Sequence, residues 1–260
     1  MKRIGILTAG GDTPALNATI HGAVERANEL NLEVIRLIKG FNSLYNERLP
    51  HVPLNPLFQE IPELDPDNGG TILGSSRDYV DPDNKEQLDI IEKRLEQLGI
   101  EGLICIGGDG TLNGLQPLAD RLPVVLAPKT IDNDISYCSK TFGFETAFSK
   151  AVEAVQSAHV EAYGAHYGVV VIKLMGRDSG FIAANTSLAC PDVNFVLIPE
   201  VRFDLHGPEG MMAAMENSFA EKQKKGQHPH SVIVVAEGAG QYLMSNRIEK
   251  RDPSGNIRYS

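Results

Sequence analysis

Short apolar runs recur along this chain, each closed by glycine or polar residues and followed by a segment with helical spacing. Arg3 to Thr8 (RIGILT) reads as a buried strand, and Leu16, Ile20, Ala23, Val24 and Ala27 then fall on one helical face. Leu32 to Ile38 reads as the next strand. Leu88, Ile91, Leu95 and Leu98 mark a helix over 86–98. Leu103 to Ile106, Val124 to Ala127, Val169 to Leu174, Phe195 to Ile198 and Val232 to Ala236 read as further strands. Phe144, Ala147, Phe148, Ala151, Val152 and Val155 outline a long amphipathic helix. Strands alternating with helices predict an α/β fold with parallel sheets covered on both faces. A loop near Thr141 to Phe144 divides the chain into a larger lobe, 1–142, and a smaller lobe, 143–260. Residues Phe41 to Asn68 are rich in Pro and Asn and read as a long connection. The polar tail from Gln241 to Ser260 reads as ending without a closing element.

Composition narrows the function classes. With 260 residues, 42% of them apolar and 22% charged, the chain can bury a core and is not of the disordered class. A net charge of −10 makes nucleic acid and anionic membrane surfaces poor partners. Cys105, Cys138 and Cys190 form no CxxC pair and no zinc spacing, which fits a reducing, cytoplasmic setting. The N-terminus enters directly into a strand-like run, so neither a signal peptide nor a membrane span is expected.

Parallel sheets bind ligands at the carboxyl ends of their strands, and the polar segments of this chain stand there. Thr8-Ala9-Gly10-Gly11-Asp12-Thr13-Pro14 joins a strand to a helix, where bare backbone amides can approach a phosphate. The alternative is a tight turn with a capping Asp or Thr. No GK[ST] follows, so it is not a P-loop. Gly107-Gly108-Asp109-Gly110-Thr111 sets an acid between glycines. That suits Mg²⁺ beside phosphate, with Thr111 expected to cap the next helix; a plain turn is again the alternative. In Pro128-Lys129-Thr130-Ile131-Asp132-Asn133-Asp134, one carboxylate can accept a proton and the other can help hold a metal, unless the loop is only a set of Asx turns. Lys173-Leu174-Met175-Gly176-Arg177 ends a strand on an arginine able to steady a phosphoryl group. Glu237 ends another and could accept sugar hydroxyls. These strand ends are expected to converge on one cleft.

The ordered set LTAGGDTPALNA, GGTILGSSR, GGDGT, PKTIDND, GFETA, KLMGRDSG, PE and VAEG, spanning Leu7 to Gly238, resembles the phosphofructokinase family. The resemblance implies two lobes: a nucleotide- and Mg²⁺-binding one, then a sugar-phosphate-binding one. It implies transfer of a phosphoryl group from ATP to the 1-hydroxyl of fructose 6-phosphate. Gly11, Arg77, Gly108, Asp109, Gly110 and Thr111 match donor contacts, and Asp109 and Asp134 match the metal carboxylates. Asp132 matches the general base. Thr130, Asp134, Met175, Gly176, Arg177 and Glu237 match the sugar-phosphate pocket, with Gly11, Thr130 and Arg177 close to the transferring group. The family also implies a cytoplasmic homo-oligomer, dimer or tetramer, under allosteric control.

Gly110 leaves room for a nucleotide, whereas Lys129 resembles the pyrophosphate-using pattern, so pyrophosphate stands as the alternative donor. Kinases of the NAD or lipid type share GGDGT but lack PKTIDND and KLMGRDSG. His21 and Glu25 replace the basic effector-site residues of bacterial relatives, and Gly168 replaces an arginine. The family continues past Ser260, so the chain reads as a fragment or short form, and a non-catalytic sugar-phosphate-binding subunit is a further alternative.

Overall fold

A computed structural model describes residues 1–78, 80–81 and 83–244, together with the backbone of 250–251 and 257–258. The elements run β1 (Arg3–Thr8), α1 (Leu16–Glu29), β2 (Glu33–Leu37), α2 (Asn42–Tyr45), β3 (His51–Pro53), α3 (Lys85–Leu98), β4 (Leu103–Gly107), α4 (Asp109–Ala119), β5 (Val124–Thr130) and β6 (Phe142–Gly143). They continue as α5 (Phe144–Gly164), β7 (Val169–Leu174), α6 (Phe181–Ala189), β8 (Phe195–Leu197), α7 (Met211–Lys224) and β9 (Ser231–Ala236), with a two-residue pair β10 (Lys250–Arg251) and β11 (Ile257–Arg258). Leaving the tail after Arg251 aside, the chain forms two compact units. The first holds Met1–Thr130 and Ile135–Gly143; the second holds Ile131–Asp134 and Phe144–Arg251. The expected ending of the tail lies almost wholly outside the described residues.

The first unit is a six-stranded sheet in the order β3-β2-β1-β4-β5-β6, parallel throughout except at the β2–β3 edge. The two-residue period of a strand sends alternate side chains to opposite faces. Ile4 and Ile6 of β1 therefore pack with Leu16, Ile20, Val24 and Ala27 of α1. Leu7, with Leu103 and Cys105 of β4, packs on the other face with Leu88, Ile91, Leu95 and Leu98 of α3 and Leu115 and Leu118 of α4. The ends of α3 follow from local chemistry. Asn84 Oδ1 accepts the Gln87 amide at 3.0 Å, and Gly99, at φ 65°, closes the helix in the left-handed region.

Three expectations need correction. Residues Phe41 to Asn68 are not one loop: they contain α2, β3 and a 3₁₀ turn at Pro56–Phe58. The edge strand is fastened by buried Asn55, whose Oδ1 accepts Val34 N–H while Nδ2 donates to Asn28 Oδ1 and Leu32 O, each at 2.8 Å. Strand β5 does not stop at Ala127; it runs to Thr130 because β6 pairs with Lys129 and Thr130. Thr111 does not cap α4: Gly108 is the N-cap and Asp109 opens the helix, leaving Thr111 in its first turn.

The second unit is a three-stranded parallel sheet in the order β7-β9-β8. Val170, Ile172 and Leu174 of β7, with Val232, Val234 and Ala236 of β9, face Phe144, Ala151 and Val155 of α5 and Ile182 and Ala183 of α6. Among the described residues no helix is long and apolar enough to cross a membrane, and all three cysteines are free.

Candidate functional site

In the first unit, β1, β4 and β5 are neighbours, so their carboxyl ends bring the first two polar segments and residues 128–130 of the third side by side. Gly10 turns at φ 83°, a conformation that favours glycine, and its N–H donates to Ser76 O at 2.9 Å. Ser75 Oγ donates back to Gly10 O at 2.7 Å, and Ala9 forms a parallel bridge with Ser76. The segment GGTILGSSR is thus strapped across the end of β1. Thr8 Oγ1 adds a bond to Gly74 O at 3.0 Å. Asn17, 5% exposed, donates to Asn68 O and accepts Ile72 N–H, at 3.1 and 2.9 Å. Arg77 leaves this strap as an exposed side chain. Asn17 had no assigned role in the sequence reading. Its signal is a polar residue on the apolar face of α1, where a partner is obligatory.

Gly11 is exposed, and a Cβ built on it meets nothing within 4 Å. Its carbonyl oxygen accepts a hydrogen bond from Lys129 Nζ, a side chain only 3% exposed that reaches across from β5. The next segment is packed differently. A Cβ on Gly107 would lie 2.2 Å from Thr111 Oγ1, so the buried threonine of the first helical turn occupies the space that Gly107 leaves. Half-buried Asp109 and Gly110 complete that turn, at the positive end of the dipole of an eleven-residue helix. Thr130, the last residue of β5, is held through its carbonyl by Thr141 Oγ1 at 2.7 Å.

Asp132, Asn133 and Asp134 belong to the second unit. Asp132 is 7% exposed, and its Oδ2 lies 3.7 Å from Arg177 Nε. Its carbonyl oxygen accepts a hydrogen bond from Ser179 Oγ at 2.7 Å. Asn133 turns at φ 57° and Arg177 at φ 51°; both are left-handed non-glycine residues, which persist where surrounding contacts impose them. For Arg177 those contacts are visible. Its N–H donates to Glu237 Oε2 at 3.2 Å, and its carbonyl lies where a Cβ on Gly238 would come within 2.3 Å. The ends of β7 and β9 are adjacent, so Arg177, Glu237 and Asp132 form one cluster. Gly176 is buried beside it, whereas Met175 is 64% exposed. Exposed Asp134 shares the segment with Asp132, while Asp109 belongs to the other unit. Ser179 and Glu200, whose Oε1 accepts the Gly180 N–H at 2.8 Å, are positioning residues to which the sequence reading gave no role. A Cβ on Gly168 would lie 2.1 Å from Ala162 O; this backbone has no space for a side chain there.

A first sheet with glycine turns and a helix N-terminus at its strand ends, and a second with an acid and an arginine at its own, define an α/β protein that gathers its polar groups at strand carboxyl ends. The phosphofructokinase family profile matches residues 3–259, and the chain belongs to that family. It is 41% identical to the ATP-dependent 6-phosphofructokinase of Borreliella burgdorferi, over 99% of this chain and 58% of that protein. It is 38% identical to ATP-dependent 6-phosphofructokinase 5, chloroplastic, of Arabidopsis thaliana, over 98% of this chain and 46% of that protein. The chain therefore spans about half the length of these relatives. The structure of phosphofructokinase from Saccharomyces cerevisiae matches with a TM-score of 0.76 at 23% identity, covering 92% of this chain and 34% of that one. The pyrophosphate-dependent phosphofructokinase from Marinobacter aquaeolei matches at 0.68 and 23%, covering 92% and 61%. At those identities the two structures bear on the fold alone.

Proposed function

We propose that this chain transfers the terminal phosphoryl group of ATP to the 1-hydroxyl of fructose 6-phosphate, giving fructose 1,6-bisphosphate and ADP. The observation that carries the reading is the buried Asp132 carboxylate beside Arg177, in a segment matching the family's PKTIDND. Asp132 takes the hydroxyl proton as the oxygen forms its bond to phosphorus, and the bond from phosphorus to the bridging oxygen of ADP breaks. The Arg177 guanidinium, beside Asp132, is assigned to offset the charge of the moving group. Thr130, Asp134, Met175, Gly176 and Glu237 are assigned to the sugar phosphate. Gly11, Arg77, Gly108, Asp109, Gly110 and Thr111 are assigned to the donor.

Mg²⁺ is assigned to Asp109, a hard carboxylate that opens a helix at the glycine turns, and, through the family motif alone, to Asp134. When bound, the ion neutralises charge on the donor phosphates. ATP is favoured by Gly110, which leaves backbone open to a nucleotide, and by the names of the relatives. Pyrophosphate is the second reading, favoured by buried Lys129 beside Gly11. On the same proposal the chain works in the cytoplasm as a homo-oligomer, dimer or tetramer.

A coupled assay with fructose 6-phosphate and either donor, on wild type and Asp132→Ala, tests the proposal. Loss of a general base lowers kcat by roughly 10²–10⁴-fold with little change in KM. An unchanged rate rejects Asp132 as the base. Turnover with pyrophosphate alone rejects ATP, and sugar-phosphate binding without turnover by the wild type points to a non-catalytic subunit.

A further inference from the structure

Two histidines of the second unit face each other through ring nitrogens whose other partners are oxygen acceptors. His159, on α5, and His230, just ahead of β9, approach through their Nε2 atoms at 3.2 Å. The other nitrogen of each ring faces an oxygen acceptor. His230 Nδ1 lies 2.8 Å from His228 O, which can only accept, so Nδ1 carries the proton. His159 Nδ1 lies 3.3 Å from Asp192 Oδ2, again an acceptor when ionised. A neutral imidazole has one N–H, so both Nε2 atoms are left with bare lone pairs pointed at one another. That arrangement calls for a cation between them.

The spacing indicates which cation. A tetrahedral ion with M–N bonds of about 2.0–2.1 Å holds two ligand nitrogens roughly 3.3–3.4 Å apart. Histidines that bind metal donate their second N–H to a carboxylate or a backbone carbonyl, and here one ring has each. The surroundings are partly enclosed. Tyr163 packs on both rings, the His159 side chain is 23% exposed, and Lys222 Nζ donates to His230 O. The neighbouring His228 Nδ1 is buried and has no hydrogen-bond partner among the described residues, so a third imidazole nitrogen stands close by.

We propose that His159 and His230 form a binding site for a divalent ion of the Zn²⁺ class, oriented by Asp192 and the His228 carbonyl, with water completing the coordination. Imidazole pairs suit Zn²⁺ among the common divalent ions, and water fills what the protein leaves open. The site stands at the amino end of β9, whereas Glu237 follows the carboxyl end of the same strand, roughly 20 Å away at 3.3 Å per residue. It is therefore separate from the centre assigned to catalysis, and its test uses no activity.

The chain is stripped with chelator and titrated with ZnCl₂ by calorimetry, while long-range ¹H–¹⁵N spectra follow the histidine rings. One equivalent of Zn²⁺ is expected to shift the His159 and His230 Nε2 resonances together. His159→Gln and His230→Gln each remove that event, and Asp192→Asn weakens it about 10–100-fold without removing a ligand. His21→Gln is the control, because His21, Glu25 and Glu60 form a second group whose ligand atoms lie within 4.8 Å of one another. Binding that survives both ligand variants, or that disappears in His21→Gln, overturns the assignment. So do Nε2 resonances that respond to pH but not to Zn²⁺, which would leave only a shared proton between the rings. Should a histidine variant fail to fold, Asp192→Asn and the wild-type ring shifts decide.

Discussion

Gly11→Ala separates a ligand-facing glycine from a structural one. Nothing lies within 4 Å of a Cβ at this position, and its φ is outside the left-handed region, so the folded chain has space for the methyl group. Gly→Ala at a compatible site stabilises by roughly 0.4–1 kcal/mol by restricting the unfolded chain, which for a protein of this size raises Tm by about 1–4 °C. The ligand has no such latitude. A phosphate oxygen accepting the Gly11 amide would stand about 2.9 Å from that nitrogen, and the new methyl borders the same space. The loop cannot retreat, because Lys129 holds the Gly11 carbonyl from one side and the Ser75–Ser76 strap holds Gly10 from the other. A misplacement of about 1 Å costs on the order of 10²-fold in rate, about 2.7 kcal/mol of barrier. Thermal melts of the unliganded chain should therefore stay level or rise while kcat/KM for the donor falls. A variant within threefold of wild-type turnover refutes the placement of phosphate at Gly11. A lower Tm refutes the open space.

Two further outcomes concern the first unit alone. Asn55→Ala removes three hydrogen bonds from a buried amide and leaves Val34 N–H and Leu32 O to be resolvated, so the urea midpoint should fall by the equivalent of about 2–4 kcal/mol; a change under 0.5 kcal/mol would show the β2–β3 edge to be held otherwise. Burial first, and then the Asp78 carboxylate, push the Tyr45 phenol up to about 12 from 10.0. The folded state thus holds this proton more tightly, and the resulting stability is complete below pH 10 and lost as pH rises towards 12. Phenolate absorbance should lose its last-titrating component in Tyr45→Phe, and an unchanged titration curve would contradict the shift.

The parts of this fold that could be read from sequence are those where one local rule decides. Buried parallel strands appear as unbroken apolar runs, so β1, β4, β7 and β9 are visible without structure. Helix α3 announces itself by its apolar spacing, and the structure adds its Asn84 cap and Gly99. Strand β3 has no such signal. It has three residues, one of them Pro53, and it exists because Asn55 and Leu54 bond to β2. The last two residues of β5 are equally silent, since Phe142 and Gly143 supply their ladder from thirteen residues away. The candidate site divides along the same line. Asp132 and Arg177 could be named from their motifs. Ser179, which fixes the Asp132 carbonyl across 47 positions, is a long-range contact that no local pattern encodes.

The glycines of the motifs carry a further distinction. Gly107 is small because Thr111 fills the adjoining space, and Gly238 because the Arg177 carbonyl does. Those residues report on packing, and they would be required in a chain that bound nothing. A Cβ built on Gly11 would meet no atom within 4 Å, so side-chain packing gives no reason for a glycine there. In the sequence these glycines look alike. Only the atoms around each one separate the glycines that packing requires from one, such as Gly11, that packing leaves open, and that is why Gly11→Ala is the sharper test of the proposed donor contact.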